Sequence, residues 1–192
     1  EKLVVKRFKQ AVKFIARNYL NKIMLSKEDV KDKGQLIDLI EEIIKLISDN
    51  SNLFNQIKNI RKIDDELFFH STEVTILALL MGKKLNYSQE RLRELGIGAF
   101  LHDVGKVKVP VKILNKPGKL TENEFKEIKK HTTYGYQILK EYQEIPDLSV
   151  QVAYQHHEKC DGSGYPEGIR GRHISEYAKI VTIVDIYNSM IN

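Results

Sequence analysis

Five of the six histidines and three acidic residues lie at the ends or on the faces of predicted helices that lead into one core. They are Glu66, His70, His102, Asp103, His131, His156, His157 and Asp185. Imidazole and carboxylate ligands without a thiolate suit iron, manganese, zinc or nickel, and they argue against a structural zinc site. Eight candidates are too many for one ion and suit two or three ions bridged by carboxylate and hydroxide. Such clusters activate water at neutral pH and stabilise an in-line displacement at phosphorus.

Two adjacent histidines, His156 and His157, stand where an apolar run gives way to a glycine-rich loop. Successive helical residues point about 100 degrees apart, so both histidines can reach one site only at a helix end or around several metals. The loop contains Gly164, Tyr165 and Pro166, and its glycines let the backbone approach a ligand closely. This pattern predicts a helix end and a loop that line one site.

Other candidates are distinguished by their spacing or their apolar surroundings. Glu66 and His70 are spaced i, i+4 and project from one helix face, although that spacing alone is more typical of a surface pair. Asp103 lies at an apolar helix end, where a metal or a salt bridge with Lys106 would offset the cost of burying its charge. Asp185 lies between large aliphatic residues, so we expect it to be buried and paired with a cation.

The elements that carry these residues are all predicted to be helices. Apolar periodicity predicts helices over residues 2–24, 35–48, 52–62 and 64–85, followed by helices that begin at Ser88, Thr121, Asp147 and Ser175. The helix after Thr121 is predicted to carry His131, and residues 106–120 are predicted to be a loop because prolines interrupt them. No other segment could pair with 175–192 as a strand, so the fold class is predicted to be all-α.

Length and composition predict one globular domain with a helical appendage. The chain has 192 residues, of which 42% are apolar and 30% charged. The net charge of +5 would attract a phosphorylated ligand, but no arginine-rich run or aromatic stripe indicates a nucleic-acid polymer as partner. No run approaches the roughly 18 apolar residues that cross a bilayer. The only cysteine is Cys160, so we expect no internal disulfide and a reducing cytoplasm.

The first 62 residues contain none of this chemistry and are predicted to form an N-terminal helical segment, residues 1–62, before the domain at 63–192. The first helix has a heptad seam made of Val5, Phe8, Val12, Ile15 and Tyr19. It could pack on its own domain, form a signalling coiled coil that descends from a sensor domain, or lie on a membrane surface as a basic helix. A coiled coil would make a homodimer through this helix.

The motifs resemble the HD phosphohydrolase superfamily, and in particular its HD-GYP subfamily. The resemblance rests on HDVGKVKVPVKILNKPGKLTENEF, then His131 and Gly135, then HHEKCDGSGYPEGIRG, and finally Asp185. It covers roughly residues 64–192 and is specific, because an ordered series of motifs is hard to produce by chance. Members of this family are all-α helical bundles that act as cyclic di-GMP phosphodiesterases, with two or three metal ions that are often iron or manganese.

The resemblance implies a role for each matching residue. The implied metal ligands are His70, His102, Asp103, His131, His156, His157 and Asp185, with Glu66 as the extra ligand of the three-metal members. Asp103 would bridge two ions, and Lys106 would contact the scissile phosphate and offset transition-state charge, so these two count as catalytic. Gly164, Tyr165 and Pro166 would shape the loop and contact the substrate.

The implied reaction is hydrolysis of cyclic di-GMP to linear pGpG, in some members onward to GMP, by attack of a metal-bridging hydroxide on phosphorus. The chain would be the output module of bacterial second-messenger signalling, below a sensor domain and with a diguanylate cyclase (GGDEF) domain as a candidate partner. Two alternatives remain: an HD-type phosphohydrolase of another nucleotide or cyclic dinucleotide, and a non-catalytic cyclic di-GMP receptor. The intact Gly164-Tyr165-Pro166 segment favours the cyclic di-GMP phosphodiesterase over the other phosphohydrolase.

The sequence departs from the family pattern at Leu67, Phe68, Ser175, Lys179 and Asn188. The family usually has an aromatic and a hydroxyl residue at the first two positions, and proline, arginine and a second aspartate at the others. None of these departures removes an implied ligand. Because the chain stops inside the last helix, we expect the family's following Arg- and Tyr-bearing segment, which helps to hold the dinucleotide, to be missing.

Overall fold

In the computed structural model, the described part of the chain comprises residues 33–49, 66–143 and 145–191. These residues form eight α-helices and one 3-10 helix: α1 (Lys33–Asp49), α2 (Glu66–Lys84), α3 (Gln89–Leu101), the 3-10 helix (Val104–Lys108), α4 (Val111–Leu114), α5 (Glu122–Lys129), α6 (His131–Lys140), α7 (Asp147–Gln155) and α8 (Glu176–Ile191). Their only β pairing is an isolated bridge between Asp161 and Arg170. The predicted all-α class is confirmed. The helices predicted over 2–24 and 52–62 lie outside the described residues.

The helix starts predicted from capping residues are confirmed. The Ser88 hydroxyl accepts a hydrogen bond from the Arg91 backbone N–H, and Thr121 forms a capping box with Glu124. Ser175 accepts a hydrogen bond from the Ala178 backbone N–H at the start of α8. Each hydroxyl satisfies a donor that has no partner within the first turn of its helix, which is why these residue types mark helix starts.

Two sequence-based expectations were wrong in detail. The predicted loop over 106–120 contains part of the 3-10 helix and the short helix α4, because Pro110 lies just before α4, where its missing N–H costs nothing. The single helix predicted to carry His131 is divided into α5 and α6 at Lys130, whose backbone N–H bonds to the Glu127 carbonyl three residues back. This division makes His131 the first residue of α6.

The core lies between α2, α3, α7 and α8, and α1 covers one side of it. α2 packs against α3 and α8, α3 packs against α7, and α6 packs against α7 and the 3-10 helix. Ile40 and Ile43 of α1 are fully buried in this same core, although α1 falls within the predicted segment 1–62. The boundary at residue 62 stays a prediction. In the described part of the chain, no helix has the length and apolarity that a membrane span requires.

Candidate metal centre

Seven of the eight candidate ligands lie in two adjacent groups. The inner group is Asp103, His131, His156 and His157, and the outer group is His70, His102 and Asp185. Within each group the donor atoms lie within 4.8 Å of one another. The eighth candidate, Glu66, is the first residue of α2, but its side chain lies outside what the structure describes.

Asp103 lies between the two groups. Its Oδ1 is 3.4 Å from His131 Nε2 and 3.8 Å from His156 Nε2. Its Oδ2 is 3.3 Å from His102 Nε2 and 3.8 Å from His70 Nε2. The two oxygens of one carboxylate therefore face different groups, which is the arrangement that a bridging ligand between two ions requires.

Three of the histidines are held by helix ends. His102 and His156 are the C-cap residues of α3 and α7, and His131 follows the break at Lys130. The Nδ1–H of His102 and of His131 donates to the carbonyl oxygen three residues earlier, at 2.7 Å in both cases. That of His156 is shared between the carbonyls three and four residues earlier, both at 3.1 Å. The last carbonyls of a helix lack a partner, so each ring satisfies one of them and its tautomer is fixed. Nε2 is then left to accept a metal.

The outer group is completed across a helix interface. His70 of α2 and Asp185 of α8 approach to 3.0 Å between Nε2 and Oδ1, and their side chains remain 21% and 14% exposed. One turn further along the same two helices, the buried Asn188 side chain donates to the buried Glu73 carboxylate at 2.9 Å. This second polar contact fixes α2 against α8 and so helps to hold His70 beside Asp185.

Steric crowding explains why position 105, in the HDVGK stretch, is a glycine. A Cβ on Gly105 would collide with the His131 carbonyl oxygen and the Gly135 backbone nitrogen. A residue with a side chain would therefore push the 3-10 helix away from α6. Because Asp103 immediately precedes that helix, its contact with His131 depends on the glycine.

Asp103 is ionised despite its burial. Its side chain is 4% exposed, and the Lys106 ammonium lies 2.6 Å from Oδ2. Burial alone would raise the pKa of Asp103, but the charges of His102 and Lys106 hold that pKa well below its usual range. Burial also disfavours the charged form of His102, yet the charge of Asp103 outweighs burial and raises the pKa of His102.

The inner histidines are neutral. Burial lowers the pKa of His131 and of His156, and it outweighs the nearby Asp103 carboxylate, which acts to raise both values. Burial, together with repulsion from His131 when that ring is protonated, lowers the pKa of His157 to about 4. A neutral imidazole keeps the lone pair that a metal needs, so these rings are in their ligating form at neutral pH.

Two buried atoms of the site have no hydrogen-bond partner, Asp103 Oδ1 and His102 Nε2. An unsatisfied buried polar atom is costly, and one that belongs to an ionised carboxylate is more so. Divalent cations would satisfy both atoms, and the surrounding imidazole and carboxylate donors suit them. The residues present therefore fit a centre of divalent ions.

The glycine-rich loop packs against the inner group through Gly164 and Tyr165. Gly164 lies so close to the backbone of residues 157–159 that a Cβ could not fit. The Tyr165 ring stacks on His157 with the ring centroids 4.8 Å apart, and Pro166 follows it through a cis peptide bond. The structure therefore brings the predicted loop residues beside the candidate ligands.

Glu158 organises this loop and was missed by the sequence reasoning. It is buried, and its carboxylate accepts hydrogen bonds from the backbone N–H groups of Glu167, Gly168 and Ile169 at 2.7, 3.1 and 3.1 Å. The available signal was an acid directly after the histidine pair and before a loop whose backbone donors needed an acceptor.

Comparisons with known proteins agree with this geometry. The family model described as HD domain matches residues 41–192. A cyclic di-GMP phosphodiesterase of Pseudomonas aeruginosa is 33% identical over 83% of this chain and 38% of its own length. The cyclic di-GMP phosphodiesterase response regulator RpfG of Xanthomonas campestris is 38% identical over 60% of this chain and 31% of its own length. The chain thus spans only about a third of these relatives.

Two further similarities concern substrate and fold. A 3'3'-cGAMP-specific phosphodiesterase of Vibrio cholerae is 39% identical over 63% of this chain and 26% of its own length. Among solved structures, an HDG"Y"P protein from Bdellovibrio bacteriovorus superposes with a TM-score of 0.83 at 21% identity, over 98% of this chain and 61% of that one. At that identity the structural likeness shows the fold alone.

Proposed function

The chain belongs to the HD domain family, and we propose that it is a metal-dependent phosphodiesterase that hydrolyses cyclic di-GMP to linear pGpG. The proposal depends above all on Asp103, one buried carboxylate whose two oxygens face two groups of potential ligands. The names of the Pseudomonas and Xanthomonas relatives support the substrate. Those relatives are longer, so the activity of the whole protein belongs to the proposal.

We propose that the seven grouped residues hold two divalent ions, with Asp103 shared between them, and that the ions are iron or manganese. A mixed set of imidazole and carboxylate donors supports these metals without selecting one of them. A third ion would need Glu66 at the start of α2. When bound, the ions would activate a water molecule for attack on phosphorus and neutralise charge on the phosphate.

The other site residues would position the phosphate. Lys106 is paired with Asp103 Oδ2, yet its side chain remains 27% exposed, so its ammonium could contact a phosphate oxygen and offset developing charge. Tyr165 stacks on His157 and would limit how a substrate enters, while Gly164 and Pro166 shape the backbone beside it. Buried and neutral, His131 and His156 would hold the ions while excluding bulk water.

The test is turnover of cyclic di-GMP by anaerobically prepared protein, with bound metal counted on the same sample. We expect two or more ions per chain and formation of pGpG. Lys106→Ala should reduce kcat by about 100-fold while keeping the metal, because it removes one charge from the phosphate site. Lys112→Ala, an exposed lysine of α4, is the matched control. A full metal centre in a metal-replete protein that turns over no cyclic dinucleotide would overturn the proposal.

A second candidate substrate is a cyclic GMP–AMP dinucleotide. It is favoured by the Vibrio cholerae relatives, which match this chain at 37% to 42% identity and are named for 3'3'-cGAMP. Parallel measurements of kcat/KM for the two cyclic dinucleotides would decide between them. Binding of either one without hydrolysis would instead support a receptor.

The remaining parts of the proposal concern the longer protein. We propose that this chain is the output module below a sensor domain, with a GGDEF domain as partner. We also propose a homodimer through residues 2–24 and, as in some family members, hydrolysis of pGpG onward to GMP. The exposed free thiol of Cys160 supports a reducing, cytoplasmic location. Product analysis over time and the oligomeric state of the full-length protein would test these points.

A further inference from the structure

The surface helix α5 carries an exposed aromatic side chain, Phe125, beside the candidate centre. No residue of α5 is buried, and Phe125 is 46% exposed. Lys129 lies one turn later on the same face, with its ammonium 4.8 Å from the Phe125 ring centroid and 5.0 Å from that of Tyr165. An exposed aromatic ring beside a cation and a polar site offers a surface on which a planar group of a ligand can stack.

These side chains are continuous with the proposed ligands. Tyr165 stacks on His157, and its ring centroid lies 6.5 Å from that of His131 and 6.5 Å from that of Phe125, with both pairs edge to face. Phe125 is thus one ring beyond Tyr165, measured from the metal ligands. If a nucleotide binds with its phosphate at the centre and extends toward α5, its sugar and base would lie over Tyr165 and Phe125.

The position of Phe125 relative to the centre is also fixed. The capping box of Thr121 and Glu124 holds the start of α5, and Lys116 contacts the Glu124 carboxylate at 2.6 Å. At its other end α5 leads through Lys130 directly into His131. α5 has a capped start and ends two residues before the candidate ligand His131, so a base stacked on its exposed ring would lie at a defined distance from that ligand.

We propose that Phe125 and Lys129 form a purine-base subsite, in which the base stacks on Phe125 and Lys129 donates to acceptors on its edge. The inference rests on the proposed function, because it needs a nucleotide phosphate at the centre. Nucleobases stack on aromatic side chains with useful affinity whatever their sequence. Guanine presents two acceptors, O6 and N7, where adenine presents N7 beside an amino donor, so a lysine at this edge selects guanine.

The simpler reading is that Lys129 only covers the Phe125 ring as an i, i+4 pair on a surface helix. In that case both side chains would affect the stability of α5 slightly and nucleotide binding not at all. Equilibrium binding to a nucleotide and to a probe without a base separates the two readings.

The experiment measures dissociation constants of GMP, AMP and inorganic phosphate for metal-replete protein, with metal content determined for every variant. We expect the wild-type protein to bind GMP more tightly than phosphate. Phe125→Ala should weaken GMP binding by about tenfold, as loss of one base–aromatic stack does, and leave phosphate binding within about twofold. Phe125→Tyr should restore GMP binding.

Lys129→Ala should weaken GMP binding more than AMP binding, by about threefold, because guanine offers the additional acceptor. Lys126→Ala changes the same charge on the same helix, and Leu148→Ala removes an apolar side chain that is 45% exposed on α7, so both serve as controls. Phosphate affinity that falls in parallel with GMP affinity, or a wild-type protein that binds GMP no better than phosphate, would overturn the subsite.

The two proposals fail separately. If GMP binding depends on Phe125 but no cyclic dinucleotide is hydrolysed, the subsite stands and the phosphodiesterase does not. If cyclic di-GMP is hydrolysed and Phe125→Ala leaves its KM and GMP affinity unchanged, the phosphodiesterase stands and the subsite is rejected.

Discussion

The inner and outer groups of the candidate centre are built by different means. In the inner group, His131 and His156 are completely buried, and each ring is fixed by a carbonyl one turn earlier in its own chain segment. In the outer group, His70 and Asp185 stand on two long helices, meet across the interface between α2 and α8, and stay partly exposed. Local chain geometry therefore positions His131 and His156, as it does His102 of the outer group, whereas tertiary packing brings His70 beside Asp185.

This difference implies that the groups respond to different perturbations. A change in how α2 lies against α8 would separate His70 from Asp185 and leave His131 and His156 on their carbonyls. A change in a buried histidine would instead disturb the fold as well as the metal, because that ring also satisfies a helix end. Asp103 belongs to the inner group, but its second carboxylate oxygen faces the outer group and so connects their behaviour.

The largest effect is expected from Asp103→Ala, because it removes the carboxylate that both groups share. We expect fewer than one ion per chain and a loss of turnover of at least about a thousandfold, since both charge neutralisation and water activation need the ions. Metal analysis and kcat/KM measure this. Asp38→Ala, which removes an exposed acid from α1, should change neither. Retention of two ions by Asp103→Ala would show that the groups are independent and that no bridge exists.

The second prediction compares His131→Ala with His70→Ala in metal-free protein. His131→Ala leaves a cavity and removes the hydrogen bond to the Ile128 carbonyl oxygen. The free energy of unfolding should therefore fall by about 2 kcal/mol. His70→Ala removes a partly exposed contact with Asp185 and should cost less than about 1 kcal/mol. Urea unfolding with a chelator present measures both. If the two variants lose equal unfolding free energy, the inner group contributes no more to the stability of the fold than the outer group does.

The third prediction separates the groups by their metal affinity. Asn188→Ala removes the hydrogen bond to Glu73 one turn beyond Asp185, so the outer ion should bind about tenfold more weakly, as is typical when a supporting contact is lost. The inner ion should be unaffected. Competition with a chelator on titrated protein measures both affinities, and Ser189→Ala, an exposed neighbour on α8, is the control. Equal weakening of both ions would show that α8 supports the whole centre.

The sequence predicted those parts of the molecule that local chemistry determines. Helix starts at Ser88, Thr121 and Ser175 follow from a hydroxyl placed before a helix, and the structure has all three. The argument that adjacent histidines need a helix end agrees with His156 as the C-cap of α7. The structure also brings together seven of the eight candidate ligands, whose residue types and order were visible in the sequence.

The rest depends on contacts between residues that are distant in sequence. Nothing in its neighbourhood marks Asn188 as the partner of Glu73, because 115 positions separate them. The break at Lys130 was missed because no glycine or proline marks it in the sequence. Phe125 stands out only once its exposure and its distance from Tyr165 are known.

The smallest expected effect is a pH dependence of the metal-free protein that arises in the inner group. Burial, together with repulsion from His131 when that ring is protonated, lowers the pKa of His157 to about 4, whereas an unfolded chain has a histidine pKa of about 6.5. Between these values the unfolded chain binds a proton that the folded chain does not, so the folded state loses stability as pH falls. The raised pKa of His102 in the outer group acts in the opposite direction. His157 and His102 therefore differ in the sign of their response to acid.

We expect His157 to contribute a loss of about 1 kcal/mol in unfolding free energy between about pH 6 and pH 5, in the presence of a chelator. His157→Gln should reduce that loss, because glutamine does not titrate, and denaturant unfolding at the two pH values measures it. His173→Gln, a histidine outside both groups, is the control. If His157→Gln keeps the wild-type pH dependence, the titration does not arise at His157. Burial of the inner histidines would then not make the two groups differ in the pH dependence of stability.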